Sequence, residues 1–303
     1  MVFTLNRHIN LITNHWFGRI ISYLVILIIF IFFWTDLSYL TFKIANPTNF
    51  LFFLITDLSN FLLLTLPIFI IELVRRTNVI KSLNLTINKF FTGYLIRSLL
   101  YAISPFLITL ILANFISQVS FNKEFQLNTF VFQFLLTMFF GAAQEEIIFR
   151  GFILQSLNMR FSNITSIAFS SILFALVHSL NPYFSFYAAF NTFLAGALLG
   201  FMYIKTRSLW LPLFYHFFWN LFQALIIGSN VSGQATSYSL FNLKIDGTIL
   251  QWLFGNDYGF ENSILCTFTL IATSYFIVKF ETLNPYNSSY TYKLNYQSDK
   301  SLL

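Results

Sequence analysis

The sequence predicts an all-α polytopic membrane helix bundle of about eight transmembrane helices with both termini cytoplasmic. Three observations predict it. Of the 303 residues, 57% are hydrophobic, 20% aromatic and only 9% charged, whereas soluble domains carry roughly 25% charged residues. Eight segments approach the length of about 20 mostly apolar residues that a span needs. The basic residues fall in alternate connections between those segments, as the positive-inside rule requires.

The spans are expected near 18–40, 50–73, 90–119, 130–157, 164–180, 183–204, 209–228 and 263–280. Each reads as a helix, because a closed barrel would show short alternating strands instead. Arg7 and Arg19 precede the first apolar run, and no small-residue cleavage site follows it, so it reads as an uncleaved first span. With a cytoplasmic N-terminus, that side receives Arg7, Arg19, Arg75, Arg76, Lys81, Lys89, Arg160, Lys205, Arg207, Lys279, Lys293 and Lys300. The other side receives Lys43, Lys123 and Lys244, so the balance is twelve against three. Trp34 and Trp210 are expected at span ends as interfacial aromatics. Gly196 and Gly200 form a small-xxx-small stripe for close helix packing.

These elements group into three N-terminal transmembrane helices (1–129), a core of four (130–225), a polar or re-entrant loop (226–262), and a last helix with a polar tail (263–303). No polar stretch is long enough to build a soluble domain. The net charge of +6 is a matter of topology, and nucleic acid is not an expected partner. Cys266 is the single cysteine, which rules out a disulfide framework, and it is expected to pack between helices.

The chemistry concentrates in the core. Ionisable groups at membrane depth are expensive and mark functional sites, and Gly141-Ala-Ala-Gln-Glu-Glu-Ile-Ile-Phe-Arg150 places two carboxylates in an apolar run. Glu146 and Arg150 are spaced i,i+4 with the acid on the N-terminal side, so they pair, while Glu145 points about 100° away. Glu146 therefore reads as the structural acid and Glu145 as the reactive one. His178 follows Phe174 by four residues, and His216 precedes Asn220 by four. Counted from the connection near 160, Glu145 and His178 each lie about 22 Å along their helices and come out level. Asn220 lies at roughly 18 Å and His216 at roughly 12 Å, which makes His216 the poorest fit unless Pro212 or helix tilt absorbs the difference. Asp57 and Arg97, near span ends, read as structural.

Such a group supports peptide hydrolysis. A carboxylate can act as general base toward water, a nearby imidazole can share that water, and a His/Asn pair can donate to an oxyanion. The alternative is a divalent metal such as zinc, with Glu145, His178 and His216 as candidate ligands and an open position for water. The H-E-x-x-H spacing of ordinary zinc proteases is absent.

Read in order, Glu145-Glu-Ile-Ile-Phe-Arg150, Phe174-Ala-Leu-Val-His178 and His216-Phe-Phe-Trp-Asn220 resemble the EExxxR, FxxxH and HxxxN motifs of the CAAX protease and bacteriocin-processing family of intramembrane endopeptidases. The segment Gly255-Asn-Asp-Tyr-Gly-Phe-Glu-Asn-Ser263 resembles a degenerate fourth motif. Any one motif is weak, and three in order are strong. The resemblance implies proteolysis inside the membrane, with Glu145 and His178 activating water, His216 and Asn220 forming the oxyanion site, and Glu146 and Arg150 supporting it. It implies a membrane-embedded or membrane-associated peptide as substrate, the lipid bilayer as environment, and the plasma membrane as location if the source is prokaryotic. The eukaryotic branch trims prenylated C-terminal tripeptides, and prokaryotic members serve other substrates. Two competing readings are a proton- or ion-coupled transporter, which would favour interrupted helices in both halves, and a non-catalytic scaffold or immunity member of the same family.

Overall fold

A computed structural model describes residues 12–44, 50–116, 118–121, 129–235 and 239–281. Arg7, His8, Lys123, Lys293, Lys300 and the tail beyond Leu283 lie outside the described residues. The helices are α1 (Trp16–Ile44), α2 (Phe50–Val74), the single turn α3 (Val79–Ser82) and α4 (Phe91–Ile116). There follow α5 (Thr129–Glu146), a π-helical segment (Ile147–Leu154), α6 (Gln155–Asn158), α7 (Asn163–His178), α8 (Phe186–Thr206) and α9 (Trp210–Ile227). A short α10 (Thr248–Phe254), a 3-10 turn (Phe260–Asn262) and α11 (Ile264–Phe280) complete the helices of the described residues.

All eight apolar runs are helical, and the protein is an all-α membrane bundle. Among the described residues, five helices are long and apolar enough to cross a membrane. Trp16–Phe32, Asn163–His178 and Ile264–Phe280 are apolar but shorter. Trp34 falls inside α1 and not at its end, because the helix continues to Ile44. The expected alternation of helix and polar connection omits one feature. Gln118–Phe121 (β1) pairs antiparallel with Phe241–Lys244 (β2), joining the far ends of two segments more than a hundred residues apart.

Helix α9 is the structural centre, packing on α4, α5 and α8, while α7 lies along α8 and the π-helical segment. Serine caps start three of the helices: Ser162 accepts from Thr165 N at 3.2 Å, Ser185 from Ala188 N at 3.0 Å and Ser263 from Cys266 N at 3.0 Å. The small-residue stripe lies at the α7/α8 contact: a Cβ on Gly196 would fall 3.0 Å from Ser171 Cα, and one on Gly200 3.1 Å from the Ile167 side chain. Cys266 is buried, as expected.

Two ends differ sharply in chemistry. At one, Glu72 is fully buried and accepts from Arg19 (2.6 Å), Arg75 (2.8 Å), Thr77 (2.7 Å) and Ser82 (2.5 Å). Arg19 also stands 4.7 Å over the Phe152 ring and 3.6 Å from Met159 Sδ, which ties α1 to the π-helical segment and the turn after α6. Asp57 pairs with Thr137 and Arg97 with Glu281, structural roles in both cases. At the other end lie the β-ribbon, the turn 179–185 and the 228–262 segment. The described residues of that segment, 228–235 and 239–262, form a structured roof that includes β2, a short helix and a 3-10 turn.

Candidate active site

The carboxylates leave α5 where the helix widens. Ile147–Leu154 is π-helical and buried along its whole length, and π-segments frequently mark functional sites because they re-aim side chains without ending the helix. Glu146 and Arg150 bracket the start of this segment. Arg150 Nη1 donates to Glu146 Oε1 at 2.7 Å and Nη2 to the Gly196 carbonyl at 3.2 Å, so the close α7/α8 packing also brings a backbone acceptor to the buried guanidinium.

Glu146 does more than neutralise the arginine. His216 Nδ1 lies 2.8 Å from the same Oε1. Because Arg150 is already donating to that oxygen, it is an acceptor, and the imidazole presents its Nδ1–H to it. His216 is thus placed directly against the paired glutamates, and the shallower depth expected from counting along a straight helix is corrected. The count assumed parallel axes and a regular α-helix through residues 145–158, whereas Ile147–Leu154 within that stretch is π-helical.

His178 is fixed in the same sense by its own helix. Its Nδ1 is 2.8 Å from the Phe174 carbonyl, which can only accept, so Nδ1 carries the proton. The Phe174 ring meets His178 at 4.4 Å, His216 at 6.1 Å and the Arg150 guanidinium at 4.5 Å. The FxxxH spacing is therefore a physical unit: the phenylalanine supplies both an acceptor and a packing face.

With both Nδ1 atoms engaged, both Nε2 atoms face Glu145. Its Oε2 stands 3.8 Å from His178 Nε2 and 3.7 Å from His216 Nε2, too far for direct hydrogen bonds. The Glu145 side chain is 29% exposed, against 0% for Glu146. A cavity adjoins the two histidines, walled by Phe174, His178, Thr192, Tyr215, His216, Trp219 and Asn220. Glu145 is not part of that wall; it faces the two imidazoles that are. Glu145, Glu146, Arg150, His178, His216 and Asn220, drawn from three sequence segments, thus form one neighbourhood.

The cavity has a further wall that the three core motifs do not mark. Ser232 and Glu261, both from the roof, line it. Glu261 is 8% exposed; it accepts from Gln223 Nε2 through Oε2 and from Ser232 N and Oγ through Oε1, each of the latter at 3.1 Å. Its own carbonyl accepts from Asn191 Nδ2 at 2.7 Å. Burial pushes its carboxyl up to about 7. The turn before it depends on two glycines: Gly255 (φ 97°) and Gly259 (φ 117°) would place a Cβ 2.1 Å from Gly259 O and 2.0 Å from Asn230 O, so only glycine fits. Those glycines stand in the segment read as a degenerate fourth motif, and they were the available signal for Glu261.

Among the described residues, no three His, Cys, Asp or Glu side chains form a group able to hold a metal ion.

Residues 127–222 match the family model described as Type II CAAX prenyl endopeptidase Rce1-like. No curated protein and no solved structure matches the chain. The matched stretch is about a third of the sequence and contains all three motifs. The core that carries Glu145, His178, His216 and Asn220 is therefore similar to the Rce1-like type II CAAX prenyl endopeptidases, a family of proteases.

Proposed function

We propose that the protein is an intramembrane endopeptidase hydrolysing a peptide bond of a membrane-associated protein or peptide, by water activated between Glu145 and His178. The observation that carries this reading is Glu145 Oε2 facing two imidazole Nε2 atoms at 3.7 and 3.8 Å. A single water oxygen can sit within hydrogen-bond reach of groups so spaced. Glu145 takes a proton as the oxygen attacks the scissile carbonyl, forming the C–O bond. The tetrahedral oxyanion is met by donors from His216 and Asn220. Collapse breaks the C–N bond, and the proton held by Glu145 passes to the leaving amine.

The hydrogen bonding constrains the role of His216. Since its Nδ1–H is given to Glu146, it can donate from Nε2 only as the doubly protonated ring. Glu146 is the counterion for that form, and Arg150 in turn orients Glu146. Glu146 and Arg150 thus act on the reaction through His216. General-base assistance is worth about 10² to 10⁴ in rate, and one oxyanion donor about 10² to 10³. No step of this reading is routed through a metal ion. Cleavage by the purified protein is accordingly expected to persist in the presence of a divalent-metal chelator, and complete inhibition that zinc restores would reinstate the metal alternative.

The central test is cleavage of a quenched peptide by purified variants. Glu145→Ala and His178→Ala are expected to lose activity by about 10² or more with unchanged thermal unfolding in detergent. Undiminished cleavage by Glu145→Ala would sink the peptidase reading.

A further inference from the structure

Among the described residues four carboxylate side chains are buried, those of Glu72, Glu146, Glu261 and Glu281. Three are held by arginine: Glu72 by Arg19 and Arg75, Glu146 by Arg150, and Glu281 by Arg97. Glu261 has no cationic partner among the described residues. A buried charge is costly unless a counter-charge meets it, so this exception has to be explained by what else can reach Glu261.

Of the four, Glu261 is the one that lines the catalytic cavity, which it shares with His216 and Asn220, the oxyanion donors of the proposed reaction. Its own hydrogen-bond donors, Gln223 Nε2 and the Ser232 amide and hydroxyl, are all neutral. The protons around it are committed elsewhere. Gln223 gives its other amide proton to the Asn230 carbonyl at 2.5 Å, and Thr192, on the same cavity wall, gives its hydroxyl proton to the Ala188 carbonyl at 2.8 Å. Gln223 Oε1 is buried with no partner. What this cluster still offers is lone pairs and one carboxyl, so a ligand there must bring the donors. Burial without a counter-charge is what pushes the Glu261 carboxyl up to about 7. His216, the ring that carries charge in the proposed reaction, already has Glu146 as its counterion. Leu199, Trp219 and Leu270 make the rest of the wall apolar, which suits an aliphatic stem with a cationic head.

We infer that Glu261 holds a lysine or arginine side chain of the substrate, at a residue flanking the scissile bond, and so sets the specificity of cleavage. The inference rests on the peptidase reading for the bond that is cut. Because Glu261 and the oxyanion donors share one cavity, the side chain that enters it belongs to a residue beside the carbonyl under attack. The substrate then supplies the counter-charge that arginines of the chain supply to Glu72, Glu146 and Glu281. A neutral side chain of the same length would fill the apolar part and leave the carboxyl without its ion pair.

The purified full-length protein decides this with peptides carrying lysine, arginine, norleucine or citrulline in turn at each position flanking the scissile bond. At one position, wild type is expected to cleave the lysine and arginine peptides with kcat/KM at least about tenfold above their uncharged counterparts. Glu261→Gln is expected to bring that ratio close to one, whatever its absolute rate. If Glu261→Gln does not fold, Glu261→Asp, which keeps the charge but withdraws it, is expected to lower the ratio. A ratio near one in wild type overturns the proposal without any variant, and a ratio unchanged in the folded variant removes Glu261 from it. Binding is read separately as the rise in unfolding midpoint in detergent given by the lysine peptide over the norleucine peptide. If no peptide is cleaved, the peptidase reading fails, and that difference still decides the cation site: its presence in wild type and loss in Glu261→Gln upholds the site, and its absence in wild type overturns it.

Discussion

Glu146 and Glu145 are chemically identical neighbours with opposite environments, and single substitutions should separate them. Glu146 accepts from both Arg150 and His216 and is fully buried. Glu146→Gln leaves the Arg150 guanidinium without its counterion, a loss of about 3 to 5 kcal/mol for a broken buried pair. It also gives His216 an amide where it had an anion. Cleavage and thermal stability are therefore expected to fall together in Glu146→Gln, whereas Glu145→Gln loses cleavage alone; a Glu146→Gln protein that melts like wild type would contradict the buried-pair assignment. At this scale the i,i+4 spacing made the Glu146–Arg150 pair legible in the sequence. The contact between Glu146 and His216 was not, because it joins residues seventy positions apart across two helices. Nor does spacing reveal that Phe174 contributes its carbonyl as well as its ring.

At the scale of elements, the apolar runs announced the helices but not the π-helical stretch that follows Glu146. Its residues, Ile147 to Leu154, carry no proline, and the one glycine among them, Gly151, is tolerated in an ordinary helix and does not by itself announce a π-helical turn. The roof was legible only as a polar interval containing glycines, since its shape depends on positive-φ turns and on Glu261, whose partners come from α9, α8 and the turn at Ser232. Glu261 makes a prediction on pH. Its folded-state value, about 7, is raised above the ordinary 4.5, so the folded protein holds its proton more tightly than the unfolded chain does. The stability from this group is complete below about pH 4.5 and is lost as pH rises to about 7, on the order of 3 kcal/mol in all. Thermal unfolding measured across that window should show the slope in wild type and a flatter profile in Glu261→Gln. Identical profiles would remove Glu261 from the titration.

Across the whole molecule, polar clusters of different kinds hold an otherwise apolar bundle. The membrane class and the unequal placement of basic residues in the connections were legible from composition and charge placement, because hydrocarbon admits so few alternatives. That Arg19 and Arg75 also converge on one carboxylate was not, since charge counting treats them as topology signals only. Glu72 has every oxygen engaged and is not among the residues that wall the candidate cavity, joining α1, α2 and α3, and Arg19 extends that joint to Phe152 of the π-helical segment. It is a clamp on architecture and not a reacting group. Glu72→Ala strands two arginines, both almost fully buried, and is expected to destabilise by about 3 to 5 kcal/mol, seen as a lowered unfolding midpoint in detergent. Cleavage per folded molecule should change far less than in Glu145→Ala, because no proton or donor of the proposed reaction comes from Glu72. If Glu72→Ala instead abolished turnover at unchanged stability, the division between an architectural end and a catalytic end would fail. The site would then have to be sought nearer the basic face.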